Sequence, residues 1–193
     1  PDRPAGRGRR AQSSPVKNYA EEHGLLVFQP ANFRSDETKA ELAALQPDAI
    51  IVAAYGKLLP KSVLALAPLG SLNIHPSLLP RHRGASPVAT TILDGDQVTG
   101  VTIMLLDEGM DTGPLIAQHE FFLKGNETTD GLTTALFELG GKLLREILPQ
   151  WQSGELLSEP QDESLASVTR KLERVDGSAD WSLSADELER RAR

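Results

Sequence analysis

Short apolar runs and helically spaced apolar positions divide this chain into alternating strands and helices. Residues 49–54 (AIIVAA) have the length of a strand, and residues 71–74 predict the next one. Continuous apolar runs are typical of parallel strands that helices cover on both faces. The strongest helix is predicted over residues 129–150, where aliphatic side chains recur at helical spacing: Leu132, Leu136, Leu139, Leu143 and Ile147. Gly140 and Gly141 weaken this helix by about 1 kcal/mol each and predict close packing against the sheet.

Weaker patterns add elements on either side of these. Ser14-Pro15 predicts a helix start, because serine caps a helix and proline fits its first turn. This helix should extend to residue 22 and turn three side chains inward: Val16, Tyr19 and Ala20. The other predicted elements are strands at 25–28, 101–106 and 115–122 and helices at 35–45, 61–66, 86–93 and after Ser184. Together they predict an α/β protein with an open, mostly parallel sheet and helices on both faces, in which strands 101–106 and 115–122 pair antiparallel.

Composition removes several classes of protein and of chemistry. The 193 residues suffice for one well-cored domain. The sequence contains no run of about 18 apolar residues, so no membrane-spanning helix is predicted. Its polar, basic start does not resemble a signal peptide. The absence of cysteine excludes disulfides and thiolate chemistry and fits a reducing compartment. The four histidines lack metal-ligand spacing, so we expect no metal site.

Charge is distributed unevenly along the chain. Residues 1–17 contain five basic residues and one acidic residue, a net charge of +4, whereas the whole chain carries −7. The remaining residues therefore carry −11, which argues against a general nucleic-acid or DNA binder. The start, residues 1–14, is predicted to be an exposed, mobile loop. A basic arm on an acidic body indicates an anionic partner at one place.

Two stretches hold the residues with the most useful chemistry. Asn73 and His75 are two residues apart in a predicted strand and should therefore point to one face. Asp111 lies between Gly109 and Gly113 in a loop after a later strand. An amide, an imidazole and a carboxylate can serve acyl transfer as oxyanion donor, acid/base and orienting group. Taken singly, a histidine at a strand end is more often structural, and an aspartate between glycines is usually a turn.

The combination of these motifs resembles the folate-dependent formyltransferases. The resemblance rests on SLNIHPSLLP at 71–80, RHRGASP at 81–87, GVTIMLLDEGMDTGPL at 100–115 and the opening PDRPAGRG, and extends to DGSADW near the end. Within that family the opening and RHRGASP are most similar to members that act on methionyl initiator tRNA. His82 departs from the family, in which tryptophan is common at this position, and Val168 stands where tyrosine is common.

The resemblance implies a Rossmann-like formyltransferase fold and specific roles for the motif residues. Asn73, His75 and Asp111 match the catalytic residues, and four loop residues match the folate-binding loop: Ser77, Leu78, Leu79 and Pro80. The Leu79-Pro80 bond is a candidate for a cis peptide, since tight turns are where cis-proline occurs. An ordinary proline-ended turn is an equally acceptable reading of this loop. The co-substrate implied is 10-formyltetrahydrofolate, and no metal is implied.

The resemblance also implies a substrate, a domain division and a compartment. Methionyl initiator tRNA is the expected partner, and the opening arginines are the candidates for binding it: Arg3, Arg7, Arg9 and Arg10. Residues 1–173 are expected to form the catalytic domain, incomplete by one strand and helix at its start. Residues 174–193 should link it to a small β-barrel domain. The expected compartment is the cytoplasm of a bacterium, with an organellar matrix left open.

Two rivals stay open on sequence alone. One is another enzyme that uses 10-formyltetrahydrofolate, such as an amino-sugar formyltransferase or a formyltetrahydrofolate hydrolase. A basic opening segment discriminates against it, because a small substrate does not need one. The other rival is a non-catalytic RNA-binding module, against which the complete set of Asn73, His75 and Asp111 argues.

Overall fold

The computed structural model describes residues 2–5, 10–56 and 58–193, with the backbone alone for residues 3–5 and 10–12. The chain forms two compact units, Pro1–Leu45 and Gln46–Arg193. Within the described ranges, no helix is both long enough and apolar enough to cross a membrane.

The first unit contains an antiparallel hairpin and two helices. β1 (Arg3–Ala5) pairs with β2 (Arg10–Gln12), so the prediction of a mobile loop over residues 1–14 is wrong for these six residues. A polar, basic segment can pair with itself because a β-ladder uses backbone groups only. Residues 6–9 lie outside the described part of the chain. α1 (Pro15–Glu22) and α2 (Asp36–Ala44) follow.

The ends of these helices were easier to predict than their packing. The Ser14 hydroxyl accepts from the Lys17 amide at 3.2 Å, as expected of a cap. The predicted inward face is wrong, because Val16 and Tyr19 are 78% and 60% exposed and α1 has no buried residue. Residues 25–28 do not form the predicted strand. Apolar spacing shows which side of an element could be buried, but it does not supply the partner.

The second unit is built on a four-stranded sheet. Its elements are β3 (Ile50–Ala53), α3 (Lys61–Leu64), β4 (Ser71–His75), β5 (Arg83–Gly84), α4 (Pro87–Asp94), β6 (Val98–Leu105), β7 (Leu115–Phe122), α5 (Thr129–Ser153), β8 (Val168–Thr169) and α6 (Ala185–Ala192). The strand order is β3-β4-β6-β7, and β5 pairs with β8 in a separate parallel pair. The α/β class is confirmed.

The strand directions correct the prediction of a mostly parallel sheet. β3 and β4 are parallel, but β4 with β6 and β6 with β7 are antiparallel, which makes the sheet mixed. The connection through α4 returns the chain to the end of β4 that carries His75, so β6 pairs Thr102 with His75 and runs in the opposite direction. The antiparallel pairing of β6 and β7 was predicted correctly.

α5 covers one face of this sheet, and the opposite face carries the end of α3 as well as the candidate site residues Asn73 and His75. Leu72 and Ile74 join the buried cluster beneath α5 with Leu143 and Ile147. Gly140 allows this approach, because a Cβ there would lie 2.4 Å from Ile74 Cγ2. The helix face predicted from leucine spacing is therefore confirmed. On the opposite face of β4, the Ser71 hydroxyl donates to the carbonyl of Leu64 at the end of α3, at 3.4 Å.

β3 and α6 differ in how well they are packed against the rest of the second unit. β3 alternates between half-buried and exposed positions, with Ile51 41% exposed, so this apolar run is not covered on both faces. α6 has the predicted capping box between Ser184 and Glu187. It is docked by Arg190 Nε, which donates to the carbonyl of Leu93 at 3.1 Å. The role of residues 174–193 as a linker stays a prediction.

Candidate active site

Asn73 and His75 lie on one face of β4, as the spacing predicted. Both are largely buried, with 9% and 4% of their surface exposed. The alternation of the strand turns them away from Leu72 and Ile74, whose side chains belong to the core. Within residues 2–5, 10–56 and 58–193, no hydrogen bond involves the side-chain amide of Asn73. Its side-chain N–H groups are therefore available to a bound molecule as far as the described residues are concerned.

The environment of His75 fixes which ring nitrogen carries a proton. Nε2 lies 3.0 Å from the carbonyl oxygen of His82, which can only accept, so Nε2 carries the hydrogen. The neutral ring therefore presents a lone pair at Nδ1. Burial lowers the pKa of His75 below its usual 6.5, although the charge of Asp111 acts in the opposite direction. The resting ring is thus a neutral base at neutral pH.

Asp111 reaches this ring from the loop after β6. Its Oδ1 lies 3.7 Å from His75 Nδ1, within the reach of one bridging water. Its Oδ2 accepts from the backbone N–H of Gly84 at 2.8 Å. The backbone of Asp111 has φ +55°, a left-handed conformation that aspartate adopts more readily than most residues. The two predicted stretches therefore meet in space, and the predicted turn and the predicted site are the same loop.

The loop of Ser77 to Pro80 is held from within by β6 and β7. Thr102 Oγ1 donates to the carbonyl of Ser77 at 2.6 Å and accepts from the amide of Leu79 at 3.1 Å. Gln118 Nε2 donates to the carbonyl of Leu79 at 2.8 Å. Leu79-Pro80 is cis, as anticipated. Leu79 is 3% exposed and belongs to the interior, whereas Leu78 is half-buried.

Sequence reasoning missed the residues that hold the two site loops. Arg83 in β5 and Gln161 bond to each other, and the Gln161 amide also bonds the Asp111 loop. Gln161 lies between the helix predicted over residues 129–150 and the one after Ser184, in a stretch for which the sequence predicted no element. Its contact with Asp111 joins residues 50 positions apart, and no local pattern of one sequence can signal such a contact. Thr102 and Gln118 were missed for the same reason.

The side chains of the four candidate tRNA-binding arginines lie outside the described part of the chain. Arg7 and Arg9 fall among residues 6–9, and the structure gives only the backbone of Arg3 and Arg10 in the hairpin. Their proposed role therefore still rests on the sequence.

One group of residues in the described part of the chain has the chemistry of metal ligands. Atoms of His82, Asp94 and Asp96 lie within 4.8 Å of one another. Asp96 is already engaged, since its carboxylate accepts from Arg81 at 3.0 Å and lies 2.8 Å from His82 Nε2. The adjacent guanidinium opposes a cation at this place, so the ion-pair explanation is the better one.

A cavity of about 620 Å³ lies elsewhere, between the ends of α4 and β7 and the face of α6. Its lining carries both signs of charge, from Lys124 and Arg190 to Asp186 and Glu189. None of the three candidate catalytic residues lines it. The candidate active site is therefore the region around His75, where a buried imidazole and an amide share one face of β4 and a loop brings a carboxylate to them.

The fold and the site together define a class of protein. A mixed α/β sheet presents an amide and a neutral imidazole at the end of β4, and a loop brings a carboxylate to them; these groups have the chemistry that acyl transfer assisted by acid and base requires. The family model described as formyl transferase matches residues 1–148 of the 193. This chain therefore belongs to the formyl transferase family.

Within this family, the chain is similar to curated methionyl-tRNA formyltransferases. The chain is 54% identical to a methionyl-tRNA formyltransferase of Chloroflexus aggregans over all 193 residues, which are 62% of that relative. It is 47% identical to a methionyl-tRNA formyltransferase of Marinobacter nauticus over 98% of this chain and 61% of the relative. The chain thus spans about three fifths of the length of these relatives.

Among solved structures, an N-formyltransferase has a similar fold. The N-formyltransferase of Helicobacter canadensis, solved with folinic acid and dTDP-3-aminofucose, matches with a TM-score of 0.71 and 18% identity. The match covers 91% of this chain and 62% of that one. At this identity the likeness supports the formyltransferase fold and does not choose the formyl acceptor.

Proposed function

We propose that this chain carries the catalytic part of an enzyme that transfers the formyl group of 10-formyltetrahydrofolate to the amino group of methionyl initiator tRNA. The observation that carries the proposal is the meeting of His75 Nδ1 with the Asp111 carboxylate, 3.7 Å apart, on the face that also holds Asn73. The identity to methionyl-tRNA formyltransferases over the whole chain supports this acceptor.

The proposed chemistry follows from the neutral state of His75. The amino nitrogen of methionyl-tRNA attacks the formyl carbon, and the oxyanion that forms accepts a hydrogen bond from the Asn73 amide. His75 Nδ1 takes the proton from the attacking nitrogen, directly or through a water shared with Asp111. The Asp111 carboxylate stabilises the resulting imidazolium. The same proton then passes to the leaving folate nitrogen as its bond to the formyl carbon breaks.

The folate would lie against the loop of Ser77, Leu78, Leu79 and Pro80. The bonds of Thr102 and Gln118 support this proposal because they hold the loop in one conformation, which lowers the entropy lost on binding. Apolar walls and a few polar groups at fixed positions are what a flat heterocycle requires. Buried Leu79 supports the loop from inside, and half-buried Leu78 can supply an apolar wall.

The tRNA would be bound by the basic start of the chain. Its charge of +4 over residues 1–17 is the supporting feature, because the rest of the chain is strongly acidic. Residues 1–173 would form the catalytic domain, and residues 174–193 would lead to a β-barrel domain, as the resemblance implies. The cytosol is the compartment proposed.

A formylation assay tests the proposal. The complete protein is supplied with 10-formyltetrahydrofolate and, in parallel, with charged initiator tRNA, with an amino-sugar nucleotide, or with no acceptor. We expect N-formylmethionyl-tRNA in the first reaction and little turnover in the other two. His75→Gln should be inactive in all three. Formylation of the sugar alone, or hydrolysis without an acceptor, would replace this proposal by one of the two rival formyl-folate enzymes.

A further inference from the structure

The side-chain amide of Gln161 is tied to the loop that carries Asp111. Its Nε2 donates to the carbonyl of Asp111 at 2.8 Å and to the carbonyl of Gly113 at 2.7 Å. Both N–H groups of the amide are therefore used, one on each side of the loop. We propose that Gln161 is a positioning residue, which holds the Asp111 carboxylate at His75 and acts on the reaction only through it. The inference rests on the catalytic roles proposed above.

Arg83 determines the orientation of this amide. Its Nε and Nη2 donate to Gln161 Oε1 at 3.0 and 2.8 Å. A guanidinium has donors only, so the amide oxygen must face Arg83 and the amide nitrogen must face the Asp111 loop. Arg83 is 4% exposed and is held on its other side by Glu163, at 2.7 Å. The glutamine is thus fixed at both ends of its amide group.

The Asp111 loop has a reason to need this support. Asp111 adopts a left-handed backbone conformation, which persists in a side chain of this size when surrounding contacts hold it. Gly84 holds the carboxylate by its N–H, and Gln161 holds the backbone on either side of Thr112. Without Gln161 the backbone carbonyls of Asp111 and Gly113 lose these bonds, and the carboxylate itself is held by the Gly84 N–H, while Thr112 stays bonded to Asp107. The carboxylate can then turn away from His75.

The charged groups near the ring make His75 a usable reporter of this geometry. Burial lowers the pKa of His75 most; the Asp111 charge and the hydrogen bond to the His82 carbonyl raise it, and the His82 ring lowers it. Arg83 and Asp107 are the other charged groups coupled to this cluster. If the Asp111 loop moves away from His75, the larger of the two raising influences is lost, so the pKa of the ring falls.

The first test compares two uncharged, nearly isosteric substitutions in the complete protein. Gln161→Met removes both donors from the Asp111 loop, and Gln152→Met makes the same chemical change on an exposed position of α5. We expect Gln161→Met to lower kcat by about 10- to 100-fold, the usual loss from misplacing a reacting group, with little change in the KM for folate. Gln152→Met should keep the wild-type kcat. Wild-type kcat in Gln161→Met would overturn the inference.

The second test asks whether Gln161 acts through Asp111. In an Asp111→Asn background the carboxylate is gone, so adding Gln161→Met should change kcat by less than about twofold. An equal loss in both backgrounds would overturn the inference. If Gln161→Met does not fold, Gln161→Asn, whose amide is one methylene short of the loop, takes its place in both tests.

A third measurement tests the role of Gln161 independently of the proposed function. Nuclear magnetic resonance titration of the His75 ring needs no substrate, and we expect its pKa to be lower in Gln161→Met than in the wild type or Gln152→Met. Failure to formylate methionyl-tRNA would overturn the proposed function and leave this comparison intact. An unchanged His75 titration in Gln161→Met would overturn the inference even in an active enzyme.

Discussion

At the scale of single residues, the protonation state of the candidate site depends on one hydrogen bond between a ring nitrogen of His75 and a backbone carbonyl. The pairing of Asn73 and His75 on one face could be predicted, because the period of a strand is fixed. Which nitrogen of His75 carries the proton could not be predicted, because it depends on the backbone oxygen of His82. His82 has a left-handed backbone conformation (φ +60°), which none of the motifs in the sequence indicates. Burial favours the neutral ring, and the hydrogen bond to the carbonyl leaves the lone pair at Nδ1.

Asn73→Ala should separate catalysis from binding. The amide is the proposed oxyanion donor, and loss of one such donor typically lowers kcat by about 100- to 1000-fold. The folate dissociation constant should change little, because the oxyanion forms only during the reaction. Formylation kinetics with methionyl-tRNA and a folate-binding titration measure the two quantities. An Asn73→Ala enzyme that keeps most of its kcat would make Asn73 a structural residue.

The buried state of His75 also predicts how stability depends on pH. The folded state lowers the pKa of the ring below 6.5, so the unfolded chain binds more protons between that lower value and about pH 6.5. The contribution of neutral His75 is fully present above about pH 6.5 and is lost as the pH falls below it. Urea unfolding at pH 7.5 and 5.5 should show a smaller decrease in unfolding free energy for His75→Gln than for the wild type. An equal or larger decrease in the variant would contradict the assigned direction.

Whole elements were predicted where one residue pattern was sufficient and mispredicted where a partner decided the outcome. The α5 face and the β6–β7 pair were predicted correctly, because leucine spacing and strand length are local properties. The antiparallel direction of β6 relative to β4 was not predicted, because it depends on how far α4 carries the chain across the sheet. Residues 25–28 have strand composition, but composition does not provide a neighbouring ladder.

The two central glycines of α5 should respond in opposite ways to alanine. A Cβ at Gly140 would lie 2.4 Å from Ile74 Cγ2 and 2.9 Å from Val101 Cγ2, so Gly140→Ala should lower the unfolding free energy by about 1 to 3 kcal/mol. Gly141 has open space at its Cβ position, so Gly141→Ala should raise it by up to about 1 kcal/mol through helix propensity. Urea unfolding of both variants measures the difference. Equal shifts would show that α5 does not approach the sheet as closely as described.

At the scale of the whole molecule, the distribution of charge limits how a polyanion can bind. The chain carries +4 over residues 1–17 and −11 over the rest, so an RNA is repelled by most of the surface and attracted by one segment. Part of that segment forms the β1–β2 hairpin, which the composition did not predict. The hairpin pairs Arg3 with Gln12 and Ala5 with Arg10, so the two arginines lie on paired strands, two positions apart along the ladder, whereas a loop would not fix their separation.

Arg7→Ala should therefore weaken tRNA binding and leave folate binding unchanged. Arginine pairs with phosphates through its planar fork and stacks on unpaired bases, so its removal should raise the KM for methionyl-tRNA. Because phosphate contacts release counterions, the tRNA KM of the wild type should rise with salt, and Arg7→Ala should show a shallower slope. Arg145→Ala, on an exposed position of α5, is the matched control and should show the wild-type slope. Steady-state kinetics over a range of salt concentrations measure all three enzymes. Wild-type tRNA kinetics and salt slope in Arg7→Ala would remove this residue from the interface, and the same result after replacing Arg3, Arg7, Arg9 and Arg10 together would favour a small-molecule acceptor.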